Sequence, residues 1–317
     1  MSKAVPAGLR RFAWANLLYN LFVIVWGAYV RATGSGAGCG EHWPVCNGQV
    51  IPRDPSVETI IEFTHRLTSG LALVGVIALL VWARRALAPG HLVRRGAAAG
   101  VALMIVEALL GAGLVLFGLV ADDASTARAF AMALHLVNTL LLVGVLTLTA
   151  WWASGGAAVR LRGHGAVGVL LAGAFAAVLV LGASGALAAL GNTLYPEARG
   201  LEAHLAPGAH VLLKLAVFHP MIALVGGSYV LATAVLVALA RRSPVTRRLA
   251  GAVVCGYVLQ VGAGFLNIYL MAPVWLQLVH LLLADGIWIA LVCFAASALA
   301  APAAEDEVAT APALARV

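Results

Sequence analysis

Charged side chains are scarce in this chain. Asp, Glu, Lys and Arg make up 10% of its 317 residues, against 62% hydrophobic, and the mean hydropathy is +0.98. That balance excludes an ordinary soluble protein, whose charged share is about 25%. Acid is scarcer than base, 13 residues against 20. Cysteine is scarce as well, four residues in all, and none stands in a Cys-x-x-Cys. A thioredoxin-like redox motif is therefore absent, and a zinc site would want further Cys or carboxylate ligands close by. Copper stays open. A cleavable leader is not expected, because the first apolar run has no small-residue cleavage site and leads straight into a Gly-rich loop.

What the chain has in quantity is long apolar runs, each about 20 residues or more, enough to cross a bilayer. They fall at 12–32, 59–83, 96–120, 128–152, 165–190, 213–239, 250–271 and 276–300. The fold class expected is an all-α polytopic membrane protein, with eight transmembrane helices arranged as two tandem four-helix bundles. Residues 1–153 form the first half and 154–300 the second. Residues 301–317 (from AAEDEVATAPALARV and its flank) read as a disordered tail.

The basic residues set the orientation. Lys3, Arg10 and Arg11 precede the first span; Arg84, Arg85, Arg94 and Arg95 join the second to the third. Arg160 and Arg162 join the fourth to the fifth, and Arg241, Arg242, Arg247 and Arg248 the sixth to the seventh. The remaining loops hold Glu41, Asp54, Glu58, Asp122, Asp123, Glu197 and Glu202. By the positive-inside rule a multi-pass protein with both termini cytoplasmic is expected. The net charge of +7 then reads as topology and attraction to anionic lipid, with no nucleic-acid partner implied.

The two halves repeat weakly. The third span of each carries a Gly-x-Gly step, Gly111-Ala112-Gly113 against Gly262-Ala263-Gly264. The second carries Phe63-Thr64-His65 against Val217-Phe218-His219, and the fourth opens on His135-Leu136-Val137 against His280-Leu281-Leu282. With four spans per unit the copies share orientation, so a pseudo-two-fold axis along the membrane normal is expected.

The repeat puts His65, His135, His219 and His280 at one depth on the even spans. Any one of them alone is more often a satisfied core residue. Four at matched depth, two per unit, are how facing helices hold haem iron axially. His42, His91, His164, His204 and His210 fall in loops and read as solvated. Glu62 stands three residues before His65 and shares its face. It could accept a proton or steady positive charge beside a bound haem, or simply orient His65 or a neighbour. Arg66, Arg128 and Lys214 lie near the outer boundary, where pairing haem propionates and snorkelling to the interface account for them equally. Cys39 and Cys46 lie in the outer, oxidising loop, as a structural disulfide or a redox-exchanging pair. Cys255 and Cys293 read as small core residues. Glu107 and Asp285 are intramembrane acids for which the sequence gives no role.

The run Gly34-Ser35-Gly36, Cys39, Trp43-Pro44, Cys46, Gly48 and Pro52, followed by Glu62-Phe63-Thr64-His65-Arg66, resembles the haem A synthase family in its cysteine-containing bacterial subtype. His135, His219 and His280 match on the corresponding spans, so the resemblance covers nearly the whole chain. It implies an oxidoreductase of the bacterial cell membrane that oxidises the C8 methyl of haem O to a formyl group, giving haem A for cytochrome oxidase assembly. His65 and His135 would flank haem O, Glu62 would lie beside the reacting methyl, and His219 and His280 would ligate a permanent haem b. Cys39 and Cys46 would form the loop disulfide. Two successive hydroxylations give a geminal diol that loses water to the aldehyde, and no side chain alone can oxidise such a methyl. Haem O synthase is the partner implied; the electron donor and any homo-oligomer are left open. One departure matters: some relatives carry a second Cys pair between the fifth and sixth spans, but Asn192–Leu212 holds none. Two other readings compete, a two-haem b-type quinone oxidoreductase and, ranked last, a transporter built on a parallel repeat.

Overall fold

A computed structural model describes residues 4–198, 201–241 and 243–300. The tail 301–317, expected to be disordered, lies outside the described residues, as do Lys3 and Arg242. The helices are α1 (Ala7–Ala32), α2 (Val57–Ala86), α3 (Leu92–Leu116), α4 (Thr126–Ala153), α5 (Ala166–Leu194), α6 (Leu201–Leu205), α7 (Val211–Ala216), α8 (Phe218–Ala240), α9 (Pro244–Tyr269) and α10 (Val274–Ala298). Among the described residues β-structure amounts to isolated bridges. Eight helical segments are long and apolar enough to cross a membrane, with α7 and α8 counted together. The chain is an all-α polytopic membrane protein.

Local chemistry sets where the spans begin. Ser56, Ser125 and Ser243 each accept a hydrogen bond from a backbone N–H three residues on, at 3.2, 3.1 and 3.4 Å, and so cap α2, α4 and α9. Pro244 occupies the first turn of α9, where its missing N–H costs nothing. His91 and His210, expected to be merely solvated, cap α3 and α7 through Nδ1. The sixth span is not continuous: α7 ends at Ala216 and α8 begins at Phe218. Pro220 explains the break, since it has no N–H to offer the carbonyl four residues back and its ring crowds that turn.

Each group of four spans closes into a ring. In the first, α1 packs on α2, α2 on α3, α3 on α4 and α4 on α1; in the second, α5 packs on α8, α8 on α9, α9 on α10 and α10 on α5. The rings meet through α1 and α4 on one side and α5 and α10 on the other. The main core runs through that seam and joins Leu17, Val76, Leu142, Val143, Leu171, Val230, Leu291 and Phe294. Large apolar residues such as Leu18, Val74, Leu109, Val225 and Phe265 stay exposed on the outer faces, as a surface solvated by lipid allows.

Trp288 ties the seam together. It is 3% exposed, its Nε1 donates to the Leu140 carbonyl at 2.6 Å, and its ring meets Phe175 edge-on at 5.2 Å. Replacing Trp288 by Ala should therefore cost roughly 3–5 kcal/mol, read as a lower thermal midpoint in detergent. Trp288→Phe, which keeps most of the ring, should lose well under half of that; equal losses would mean that the seam does not depend on this packing.

Candidate functional site

The loop after α1 is fastened to the start of α2. Cys39 and Cys46 are disulfide-bonded. Between Cys46 and Gln49 the chain turns back with paired backbone hydrogen bonds of 2.9 Å. Asn47 and Gly48 both take positive φ, 51° and 74°, the Asn-Gly arrangement of a tight hairpin turn. Gly38 lies directly on the backbone of Glu58 and Thr59, where a Cβ would collide with the Glu58 carbonyl. Its own carbonyl accepts from Thr59 Oγ1 at 2.6 Å and Asn47 Nδ2 at 3.1 Å.

Glu62 is the bolt of this assembly. It is buried, and its Oε2 accepts from the Cys39 N–H at 2.8 Å. Its Oε1 accepts from Arg66 Nε at 3.1 Å and Nη2 at 2.5 Å. Arg66 in turn donates through Nη1 to the carbonyls of His42 and Val45, at 2.6 and 2.8 Å. Both carboxylate oxygens are occupied, so Glu62 is held between Arg66 and the disulfide loop. Arg66 is likewise committed, while Lys214 reaches only the Pro207 carbonyl, at 3.2 Å.

One turn along from Glu62 begins the histidine site. His65 and His135 lie within electrostatic reach of each other, and so do His219 and His280. Every one of the four imidazoles turns its Cε1 edge to a glycine on the preceding span. A Cβ placed at Gly27 would stand 2.9 Å from Cε1 of His65, at Gly185 3.2 Å from that of His219, and at Gly264 3.3 Å from that of His280. At Gly111 it would stand 3.9 Å from Cε1 of His135, an ordinary contact. The glycines that face histidine on the third spans are thus Gly111 and Gly264, two residues out of step with the Gly-x-Gly alignment read from the sequence.

The ring nitrogens differ in their partners. Nδ1 of His219 is 2.9 Å from Ser184 Oγ, next to the facing Gly185. Nδ1 of His135 is 3.4 Å from Oε1 of Glu107, long for a hydrogen bond but close enough for a charged contact. Glu107 also accepts from Asn138 Nδ2 at 2.6 Å and from Thr139 Oγ1. Gln260 holds Nε2 of His280 through its own Nε2 at 3.1 Å, and Nδ1 of His280 is buried without a partner among the described residues. The same is true of Nδ1 of His65.

The sequence reading missed Glu107 and Gln260 in these roles. Each stands one helical turn before the glycine that faces the histidine, Glu107 before Gly111 and Gln260 before Gly264. That i, i+4 pair was the available signal. Arg31 was missed altogether. It donates from Nη1 to the Ala189 carbonyl at 2.7 Å and Thr193 Oγ1 at 2.6 Å, and from Nη2 to Gln277 Oε1 at 3.1 Å, so it joins α1 to α5 and α10. Asp285, the second unexplained acid, is 0% exposed, with no hydrogen-bond partner for either oxygen among the described residues.

Protein purified without reductant, denatured and alkylated should carry label on Cys255 and Cys293 and none on Cys39 or Cys46. Label on both loop cysteines in mass spectra would remove the disulfide from the loop's architecture.

The chain is 54% identical over 294 residues to a protein of Thermus thermophilus named protoheme IX farnesyltransferase, a match covering 92% of this chain and 48% of the relative. The chain thus spans about half the length of that relative. It is 47% identical over 111 residues to a heme A synthase of Shouchella clausii, covering 35% of this chain and 37% of the relative. A heme A synthase of Alkalihalophilus pseudofirmus is 42% identical over 130 residues, 41% of each chain. The profile of one family, described as cytochrome oxidase assembly protein, matches residues 10–292, and the chain belongs to that family, COX15-CtaA.

Proposed function

We propose that the chain is a haem A synthase, which oxidises the C8 methyl of haem O to a formyl group, with haem O held in the first ring of spans and a resident haem b in the second. The observation that carries this reading is the pair of imidazoles in each ring, every one seated on a glycine, in a chain of the COX15-CtaA family with relatives named heme A synthase. A haem asks the protein for axial ligands only, because the porphyrin supplies the other donors. Two facing imidazoles suit that demand.

The residues fit such a group. Ser184 on Nδ1 of His219 leaves Nε2 for iron, as a partner on the far nitrogen fixes a ligand's orientation and raises its basicity, and Glu107 stands 3.4 Å from Nδ1 of His135 as a neighbouring charge. Ligation through Nε2 of His280 asks Gln260 to release it. Haem b in the second ring would supply one-electron chemistry. In the first ring His65 and His135 position haem O, and Glu62 holds the disulfide loop over it. The fixed negative charge of Glu62, one turn from His65, steadies positive charge that develops on the substrate.

The wider reading follows the same line. The protein sits in the bacterial cell membrane with both termini cytoplasmic, and the two rings are related by a pseudo-two-fold axis. Haem O synthase is its functional partner. The relative named protoheme IX farnesyltransferase, twice as long as the match to this chain, supports a close link between the two activities. Expression in a host that makes haem O, followed by chromatography of the extracted haems, tests the whole. Haem b with traces of haem O or A is expected; haem b alone would instead fit a two-haem quinone oxidoreductase.

Substitutions at the four glycines and at Glu62 sharpen that test. Gly185→Ala and Gly264→Ala should each shift or weaken the low-spin haem b absorbance, because the new methyl must displace an imidazole edge. Gly27→Ala, the tightest of the four, should lower haem A yield while sparing haem b, and Gly111→Ala should match the parent. If Gly111→Ala did as much damage as Gly27→Ala, contact with the ring would not be the cause. For the acid, Glu62→Gln keeps the shape but loses the charge. We expect it to fold, to retain haem b and to accumulate haem O or a part-oxidised intermediate. A normal yield of haem A would reduce Glu62 to an anchor for the loop.

A further inference from the structure

We propose that the end of the bundle opposite the disulfide loop holds a binding site for the phosphate of an anionic glycerophospholipid. The site is a cleft of about 630 Å³ where the α4–α5 segment, the close of α8, the start of α9 and the end of α10 come together. Arg160, Arg162, His164 and Arg241 line it, with Ser243 and Ser297, and no acid does. These walls are stitched to one another. The Arg160 N–H donates to the Leu299 carbonyl at 2.9 Å, an antiparallel bridge joins Val159 to Ala300, and the hydroxyls of Thr246 and Ser297 share a hydrogen bond of 2.7 Å. The proposal does not depend on the haem reading.

The lining consists of donors in want of an acceptor. Arg241 Nη2 stands 2.9 Å from Nδ1 of His164. A guanidinium has only donors, so Nδ1 accepts and the imidazole proton sits on Nε2. The pair's one acceptor is thereby used up. Nε2 of His164 and Nε of Arg241 are left without a partner among the described residues. Arg160 and Arg162 are exposed and make no side-chain hydrogen bond or ion pair among those residues, where the pairs are Glu62–Arg66 and Glu107–His135. The other end of the bundle treats its arginines differently. Arg31, Arg66 and Arg128 are each bonded within the protein, to the Ala189 carbonyl, to Glu62 and to the Ala121 carbonyl among others. The described acids lie in the loops of that end or inside the spans, so none of them neutralises the cleft.

Two observations place the missing anion in a membrane surface. Leu161, between Arg160 and Arg162, and Leu239, next to Ala240 of the lining, are both exposed, so apolar side chains flank the cationic walls. Indoles also gather at this end: Trp14 donates from Nε1 to Ser154 Oγ at 3.0 Å, Trp151 and Trp152 close α4, and Trp82 packs on Phe12 at 5.6 Å. Tryptophan collects at headgroup depth, which sets the cleft at that level. A glycerophospholipid meets both demands, because its phosphate receives guanidinium N–H groups and its acyl chains cover the leucines. Basic pockets between spans suit anionic headgroups for this reason. A soluble phosphate would answer the arginines and leave the leucines bare. Glu305, Asp306 and Glu307, beyond Ala300, are the chain's own alternative source of negative charge.

The test is native mass spectrometry of the full-length protein, released from neutral detergent after incubation with equal amounts of phosphatidylglycerol and phosphatidylcholine. Phosphatidylglycerol should stay bound under activation that strips phosphatidylcholine. Arg162→Gln and Arg241→Gln should each cut that retention about fivefold, the worth of one arginine at an anionic surface. Arg84→Gln, at the same end of the bundle but outside the cleft, should leave it intact. Arg162 is exposed and packs on nothing that its replacement would disturb, so its result stands even if Arg241→Gln does not fold. Equal retention of the two lipids by the parent, or undiminished retention in Arg162→Gln, overturns the proposal. Displacement of phosphatidylglycerol by inorganic phosphate also overturns it, in favour of a soluble anion. A chain ending at Ala300 should retain phosphatidylglycerol as the parent does. A severalfold gain on that truncation would mean that the acids beyond Ala300 fill the cleft, and the lipid assignment would fall.

Discussion

The constraint on which the rest depends is lateral room. An imidazole on one helix of a tight bundle can face inward only where the neighbouring helix gives up its own side chain. Here the neighbour does so at Gly27, Gly185 and Gly264, while at Gly111 a methyl would still fit. Glycine inside a helix is unfavourable by about 1 kcal/mol relative to alanine in water, so the arrangement is kept against propensity. In lipid, close helix approach through small residues is itself a source of association, which offsets part of that cost. Those three positions thereby set both the packing distance between adjacent spans and the orientation of the ring that uses the gap.

Once an imidazole is inside, its polar nitrogens must be satisfied without water. The bundle does this unevenly: a hydroxyl for Nδ1 of His219, an amide for Nε2 of His280, and no hydrogen-bond partner among the described residues for Nδ1 of His65, His135 or His280, with Glu107 3.4 Å from that of His135. The partners sit on the spans that carry the glycines, beside Gly185 and one turn before Gly111 and Gly264. A single helix face therefore supplies both the vacancy and the group that aims the ring across it. Glu107 also answers two further donors, Asn138 and Thr139, so the first ring holds its acid in a network where the second has a single neutral amide.

The spans, the four histidines and the loop disulfide were legible because they rest on signals that survive in one dimension: apolar length, repeated spacing, and cysteines in a loop. What escaped depended on neighbours distant in sequence. Arg31 reads as an ordinary interfacial residue until α5 and α10 close over it, 158 and 246 residues away. Glu62 reads as a free acid until the loop before it folds back and places the Cys39 N–H on its carboxylate. The break at Val217 was written in the chain as Pro220, yet an apolar run of that length reads as one span. The Gly-x-Gly steps were visible, but which glycine of each faces the ring is a matter of helix rotation.

That break has a mechanical consequence. In the first ring the loop, Glu62 and His65 all bear on α2, which is unbroken from Val57 to Ala86. A push on the disulfide loop is carried down a stiff rod to the imidazole. In the second ring the rod is cut between Ala216 and Phe218, just before His219, so strain arriving from residues 201–216 is absorbed at the joint. The first site is thus built to feel what touches the face above it, while the second is shielded from the same disturbance.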